Sequence, residues 1–461
     1  MKAVPALLNS HEKKAAYSLA TIYSLRMLGL FMILPVFSLY AKDLSGSTPA
    51  LIGIAIGSYG LTQAFFQIPF GMISDKVGRK PMIILGLVIF ALGSLVAAMS
   101  TSIYGVIAGR LIQGSGAVAA VLMAMAADLT REENRMKVMA TIGISIGFSF
   151  ALALVTGTLL APIFGLSGIF YFTAILAIVG IFIVIYIVPN VQQVKCHRDT
   201  ETIVENLSSI LKDQQLLRLD FGIYILHMVL TATFLVMPMI LVDQQYANIS
   251  LSDHWMVYLP VMFFSMILMV PFIILAEAKR KMKAVFIGAI LTMIIAQLGF
   301  WNSYQSIYGL VGFLLIFFTA FNLLEASLPS LVAKVSPTEN KGTAMGVYST
   351  SQFLGAFSGG VIGGNLLGLY GVESIFIFSA GCFMVWFIIA LTMKNPRFLS
   401  SYIVNVAKVT KQQQLLLTKQ LTEIQGVAEA IVIVEDGEAF LKVDLHALDT
   451  ESLANISKQY S

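Results

Sequence analysis

Twelve apolar runs follow one another through this chain, near residues 17–40, 50–73, 82–100, 103–127, 137–161, 168–188, 219–241, 255–276, 284–300, 306–333, 342–366 and 372–393. About 20 apolar residues suffice to cross a bilayer as a helix, whereas an open strand cannot satisfy its backbone in lipid. Composition agrees: of 461 residues, 57% are apolar and 12% charged, with a mean hydropathy of +0.84. A soluble domain carries about a quarter charged residues. This chain cannot clothe a globule in polar groups, so lipid is its expected solvent and an all-α membrane protein its expected fold class.

The cations sort by loop. The N-terminus, the loops after runs 2, 4, 6, 8 and 10, and the segment after run 12 hold nearly all of them, including Lys13, Lys14, Lys76, Arg79, Lys80, Arg131, Arg135, Lys137, Lys279, Lys281, Lys334, Lys341, Lys394 and Arg397. The opposite loops hold essentially Lys42. Short cytoplasmic loops carry such an excess, so both termini are expected in the cytoplasm, with an even number of crossings. The same sorting excludes nucleic acid as a partner, which a net charge of +4 and a pI near 8.8 would otherwise suggest. Cys196 and Cys382 match no disulfide or metal spacing, and no metal or other cofactor is expected. Residues 1–14 are polar and lead into a long apolar run, which is not the pattern of a cleavable leader.

The longest loop, 189–218, is polar and sits midway, separating a six-helix bundle at 15–188 from a second at 219–393. An internal repeat supports the division. "IPFGMISDKVGRK" (68–80) aligns with "VPFIILAEAKRKM" (270–282), pairing Pro69 with Pro271, Asp75 with Glu277 and Arg79 with Lys281. "REENRMKVMA" (131–140) likewise aligns with "PTENKGTAMG" (337–346).

The tail, 394–461, changes character. "SYIVNV" reads as a strand and "QQQLLLTKQLTEIQ" as an amphipathic helix ended by Gly426. "EAIVIVEDGEAFLKVDL" reads as a hairpin turning at Asp436-Gly437, and Asp449 or Thr450 as the cap of a last helix. The order β-α-β-β-α is that of a small α+β ferredoxin-like domain lacking its closing strand. So small a domain is expected to need docking or pairing for stability.

Between runs 2 and 3 lies "GMISDKVGRKP". Gly71 and Gly78 allow close helix approach and a tight turn, while Asp75 can pair with Arg79. The string G-x-x-x-D-x-x-G-R-K resembles the signature loop of the major facilitator superfamily, and "RLIQGSGAVAA" (110–120) resembles that superfamily's span-4 motif. "LRMLGLFMILPVFSLYA", "NLLEASLPSL", "TSQFLGAFSGG" and the tail narrow the resemblance to its YajR-type bacterial subgroup, proton-driven drug-efflux transporters with an extra cytoplasmic domain. The resemblance implies a transporter in the bacterial inner membrane, with lipid, a small-molecule substrate and protons as partners; a monomer is expected. It also implies a latch: Asp75 docks on the end of span 11 in the outward-open state, and Arg79 bridges it to Asp128 at the end of span 4. One departure bears on direction. Antiporters of the superfamily often carry Gly-Pro in span 5, where this chain has Gly157-Thr158. The second-half loop also has Ile273 and Arg280 in place of the two glycines, so its latch is expected to be weaker.

Ionisable groups at bilayer depth are costly and usually functional. Glu325 in run 10, with Asn322 one turn earlier, is the first candidate for a proton carrier; the alternative is a structural carboxylate satisfied by Asn322 or by backbone. Arg26 in run 1 and Arg110 in run 4 are candidates for proton or substrate coupling, against fixed interhelical pairing. His227 in run 7 reads equally as a titrating group and as a packing histidine. Gln63 and Gln67 read equally as cavity lining and as cross-helix bonds. Gly355, Gly359 and Gly363 in run 11 suit close helix packing.

No nucleophile–base constellation and no phosphate-binding loop appears, so neither an enzyme nor an ATP-driven pump is expected. The leading expectation is a secondary transporter moving a small amphipathic molecule in exchange for protons. Uptake symport or passive facilitation is the runner-up, and a membrane sensor signalling through the tail the third reading.

Overall fold

A computed structural model describes residues 8–190, 207–336, 341–395, 400–406, 409–433, 437–444 and 447–460. Most of the expected linker, together with Asp436 and Arg397, lies outside the described residues. The chain divides into two compact units, Met1–Met393 and Lys394–Ser461.

The first unit is helical throughout: α1 (Ser10–Phe31), α2 (Phe37–Ala41), α3 (Pro49–Val77), α4 (Arg79–Met99), α5 (Ile103–Ser115), α6 (Ala119–Asp128), α7 (Glu132–Tyr186), α8 (Leu207–Ile210), α9 (Gln214–Val242), α10 (Trp255–Glu277), α11 (Met282–Ser303), α12 (Ile307–Val335), α13 (Lys341–Tyr370) and α14 (Val372–Leu391). Among the described residues, ten helical segments are long and apolar enough to cross a membrane. Twelve runs were read from the sequence, and the difference has two sources. Run 1 is split by a turn around Pro35, and Lys14 and Arg26 dilute what remains of it. Runs 5 and 6 are joined in the 55-residue α7, interrupted where Gly165 takes φ +66 just after Pro162. Run 4 also breaks, between α5 and α6, leaving the Gly116 region non-helical.

Helix starts follow local chemistry. The Thr48 hydroxyl accepts from Leu51 N–H ahead of Pro49, the Ser102 hydroxyl from Gly105 N–H, and the Asp213 carboxylate from Gln215 and Leu216 N–H. Each cap satisfies a donor that the first helical turn leaves free. Outward-facing Phe65, Ile144, Phe148, Ile163, Phe263 and Phe264 are exposed, a surface that lipid suits and water does not.

Helix α13 is packed on two faces by small residues. On one face Gly355 lies against the backbone of Tyr224, Gly359 against that of Met228 and Gly363 against Ala232, all on α9. On the other, Gly360 meets Gly53, Gly364 lies against Pro49 and Ala50, and Phe357 and Phe353 meet Gly57 and Gly60 of α3. Glycine is required where backbones come this close, since a Cβ would strike a carbonyl. The glycine repeat read from run 11 thus has its partners on α9, and α13 also seals the first-half helix α3 to the second half.

Among the described residues, the close backbone contacts between the two halves gather at one end. Beyond the α3–α13 contact near Pro49–Gly60, Phe150 of α7 meets Phe234 of α9 and Phe318 and Phe321 of α12. At the opposite end, which carries the basic loops, the described ion pairs each join groups of one half: Arg79 with Asp75 and Asp128, Arg131 with Glu12, and Lys334 with Glu277.

The second unit has the order β1 (Ser400–Asn405), α15 (Lys411–Glu423), β2 (Val427–Ile433), β3 (Glu438–Val443), α16 (Thr450–Tyr460), with an antiparallel sheet ordered β1-β3-β2. Leu417 and Leu421 of α15 and Leu453 of α16 pack with Val432, Leu441 and Val443 in its core. Thr410 and Gln413 form a capping box at the start of α15. Gly426 takes φ +88 where a Cβ would lie 2.5 Å from the Leu448 backbone. Asp449 caps α16; the Ser452 hydroxyl, with the N–H groups of Ser452 and Glu451, holds its carboxylate below the usual range.

Candidate functional site

Among the described residues, an acid, an imidazole and an amide come together where α9, α12 and α13 meet. Gln352 of α13 places its amide nitrogen 3.2 Å from Glu325 Oε1 and 2.8 Å from His227 Nε2. One NH2 group has two hydrogens, so it can donate to both at once. That arrangement makes the imidazole Nε2 an acceptor and puts the proton of neutral His227 on Nδ1. Glu325 Oε2 lies 3.8 Å from the same Nε2 and is buried without a hydrogen-bond partner. The carboxylate therefore has one neutral donor and no cation paired with it among the described residues. A proton arriving on Glu325 would neutralise it and remove the need for the amide, freeing Gln352 to turn toward His227 alone.

Asn322 does not supply Glu325, contrary to one of the readings above. Its amide donates to Ser265 of α10 at 3.0 Å. The Phe321 ring lies 6.0 Å from the His227 ring and joins the interface cluster with Phe150, Phe234, Phe317 and Phe318. These rings are buried, so they close the seam between the halves beside the acidic group.

The first half carries the opposite charge. Arg26, 1% exposed, donates from Nη2 to Tyr59 Oη and Gln63 Oε1, both at 2.6 Å, and to the Gly116 carbonyl at 3.3 Å. That carbonyl is available because the helix breaks between α5 and α6. Arg26 Nε and Nη1 are buried without partners. Arg110 donates to the Ala55 and Ile56 carbonyls and to Gln113, with its guanidinium carbon 5.1 Å from the centre of the Tyr59 ring. Arg26 stands 5.8 Å from the same ring and 5.7 Å from that of Phe90. Two cations thus rest on carbonyls and ring faces with no carboxylate between them. Gln63 accepts from Arg26 of α1, a cross-helix bond, whereas its own amide donates to Gln67 one turn further along the same helix.

At the basic-loop end Arg79 donates to Asp75, four residues earlier, to the Ser74 hydroxyl at 2.6 Å, and from Nε to Asp128 at 2.9 Å. Arg79 and Asp128 are almost fully buried, while the Asp75 side chain is 32% exposed. Gly78 takes φ +102 in this turn, and a Cβ on Gly71 would lie 3.9 Å from that of Ala120. In the second half the repeat diverges. Glu277 pairs with Lys334 of α12 at 2.7 Å, not with Lys281, and accepts from Ser330. The position equivalent to Gly78 is Arg280, which takes φ +54.

A fourth cluster was missed from sequence. Glu12, in the first turn of α1, accepts from the backbone and guanidinium of Arg131, from the Asn134 amide and from Asn9 N–H. The hydrogen bond from the Arg131 side chain holds its carboxyl down to about 2. Gln352 was missed as well; only its place across from Glu325 gives it meaning.

A bundle of long apolar helices in two halves, sealed at one end around buried ionisable groups, defines a membrane transporter. The chain belongs to the Major Facilitator Superfamily, whose family model matches residues 19–359 and 279–424. It is 46% identical over 434 residues to the inner membrane transport protein YajR of Escherichia coli K12, covering 94% of each chain. It is 29% identical over 185 residues to the class B tetracycline resistance protein of Escherichia coli, covering 40% of this chain and 46% of that one. Among solved structures, a bacterial homologue of the human lysosomal transporter Spinster, inward-facing and occupied, superposes with a TM-score of 0.68 at 12% identity, over 84% of this chain and 97% of that chain. The human organic anion transporter MFSD10 superposes with a TM-score of 0.61 at 20% identity, over 83% and 100%.

Proposed function

We propose that this protein is a secondary transporter that exports a small amphipathic molecule by alternating access, driven by inward movement of protons. The observation that carries the reading is the Glu325–Gln352–His227 group, a carboxylate at bilayer depth with a neutral donor and no paired cation. Relatives named for bicyclomycin and tetracycline resistance support an apolar, drug-like cargo, and so do the phenylalanines beside the acid.

In this reading the chain makes twelve crossings, its tail is a ferredoxin-like domain, and both termini lie in the cytoplasm of a bacterium, as the loop cations require. The end that is sealed by α3 and α13 is then periplasmic, and this conformation faces inward. Asp75, Arg79 and Asp128, with Gly71 and Gly78 shaping their turn, form the first-half part of a latch that would engage span 11 when the molecule turns outward. Arg26 and Arg110 hold fixed positive charge opposite the acid. The protein acts as a monomer, with lipid, substrate and protons as its partners.

Thr158, where antiporters of the superfamily carry proline, favours symport or facilitation as the second reading. Flux in proteoliposomes with an imposed pH gradient separates them, using compounds first selected by thermal shift on purified protein. Counterflow of protons is expected, and Glu325→Gln is expected to abolish gradient-driven flux while the protein stays folded. Undiminished driven flux in that variant refutes the role of Glu325.

A further inference from the structure

Glu12 has no part in the transport reading above, yet it is the most heavily bonded carboxylate at the basic-loop end. It is 2% exposed. The Arg131 guanidinium grips it as a fork, Nε to Oε1 at 2.9 Å and Nη2 to Oε2 at 3.0 Å, and the Arg131 N–H reaches Oε1 at 3.1 Å. The Asn134 amide adds a bond to Oε2 at 3.1 Å, and Asn9 N–H another at 3.0 Å. The Asn9 bond caps α1; the others come from the entry to α7. A fork on a carboxylate fixes direction as well as distance.

What Arg131 is joined to gives this grip its meaning. Leu129 and Thr130, 7% and 5% exposed, are all that separates it from Asp128, which accepts from Arg79 Nε at 2.9 Å. The Thr130 hydroxyl is tied back to the Ala126 carbonyl at 2.7 Å, so this buried connection has little slack. A fixed Arg131 therefore fixes Asp128, and Asp128 sets the guanidinium that also holds Asp75. Arg79 is braced from its other side too. The next residue, Lys80, donates to the Val188 carbonyl at 2.6 Å and to Asn190 Oδ1 at 2.7 Å, just past the end of α7, where a cation suits the helix dipole. Charge alternates along the run Glu12, Arg131, Asp128, Arg79 and Asp75. With Lys80 it ties together α1, α3, α4, α6 and both ends of α7.

From this geometry we infer that Glu12 is a positioning residue for the latch: by holding Arg131 it keeps Asp128 and Arg79 in the register that presents Asp75 to the second half. Asp75, its side chain 32% exposed, is the member of the run with a surface to offer. The bond from Arg131 holds the Glu12 carboxyl down to about 2, so Glu12 stays ionised through the physiological range. The brace is permanent, and the latch can engage and release on it without the brace itself titrating.

This role rests on the reading of Asp75, Arg79 and Asp128 as a latch, and the experiment separates the two. Spin labels at exposed Tyr17 and Ile274, in the full chain with both cysteines replaced, report the separation of the halves at this end by double electron–electron resonance. The latched state is the shorter-distance population, and Asp75→Asn is expected to deplete it. Glu12→Gln and Arg131→Gln are each expected to deplete it about 2- to 30-fold, the range for residues that act through a network. Glutamine keeps the capping box of α1, so a lost helix cap does not account for the effect. In an Asp75→Asn background, Glu12→Gln is expected to change nothing further, because what it positions is gone; a purely structural role would shift both backgrounds alike. An equal shift in both backgrounds, or none in Glu12→Gln and Arg131→Gln where Asp75→Asn has one, overturns the positioning role alone. An unchanged distribution in Asp75→Asn overturns the latch reading beneath it.

Discussion

Substitution at the seam between α3 and α13 tests whether that contact holds the conformation. A Cβ placed on Gly57 would lie 2.7 Å from the Phe357 carbonyl oxygen and 2.9 Å from its Cα, where ordinary contact begins at 3.4 Å. The obstacle is backbone, so neither side can turn aside; the helices must separate by about 0.7 Å or more, losing dispersion along the whole seam. One such overpacked site costs about 1–3 kcal/mol. Gly57→Ala combined with Gly360→Ala, which would strike Gly53 and Gly57, costs about 3–4 kcal/mol if the two partly share one displacement. Each 1.4 kcal/mol is about tenfold in an equilibrium constant, so the sealed state should lose at least about 10²-fold in population against the state open at this end. Spin labels at exposed Tyr104 and Tyr308, with both cysteines replaced, would report the opening by double electron–electron resonance as a shift to longer distances. A folded double variant with an unchanged distance distribution would refute the argument that these glycines hold the seal.

Three further outcomes follow from the basic-loop end. Asp128→Asn should lower the unfolding midpoint more than Asp75→Asn, by about 2–3 kcal/mol against under about 1, because Asp128 is buried with Arg79 and Asp75 is a third exposed; equal effects in a thermal-shift assay would contradict this. Glu12 sits at about 2 when folded and 4.5 as a free carboxyl, so its ion pair stabilises fully above pH 4.5 and is lost as pH falls toward 2. With Arg131 half exposed and screened, the loss is about 1–2 kcal/mol, and Glu12→Gln should flatten the acid limb of the stability profile without steepening it. Arg280 holds φ +54 without glycine's freedom, so Arg280→Gly should raise the midpoint by up to about 1 kcal/mol in equivalent stability; a clear drop would show that its side-chain contacts outweigh the backbone.

Much of this architecture is written in hydropathy, since lipid leaves a chain little choice but helices. The Asp75–Arg79 pair is legible because opposite charges four residues apart flank the one glycine turn that joins α3 to α4. What the sequence conceals is lateral. Gln352 lies 125 residues from His227 and 27 from Glu325 along the chain, and polar groups of these kinds are common on membrane helices. The α9–α13 seam, set by Gly355, Gly359 and Gly363, brings Gln352 to His227. Asn322 illustrates the converse: proximity in sequence to Glu325 suggested a bond, yet the side chain turns to α10. The repeat misled in the same way. Aligning Lys281 with Arg79 is sound as sequence, but Arg280 in the left-handed region redirects the second loop, and Lys334 supplies the charge from a neighbouring helix.

Helix α13 has a consequence for how such a molecule can be jammed or tuned. In the proposed alternating-access cycle one of its glycine stripes is a weld, since α9 and α13 belong to the same half; the other is a zip, which would part and re-form against α3. Bulk added to the weld threatens folding, whereas bulk added to the zip changes only how often it closes. On that proposal, a compound lodged beside Gly57 and Phe357 would hold the zip undone, stalling turnover from a site apart from Glu325.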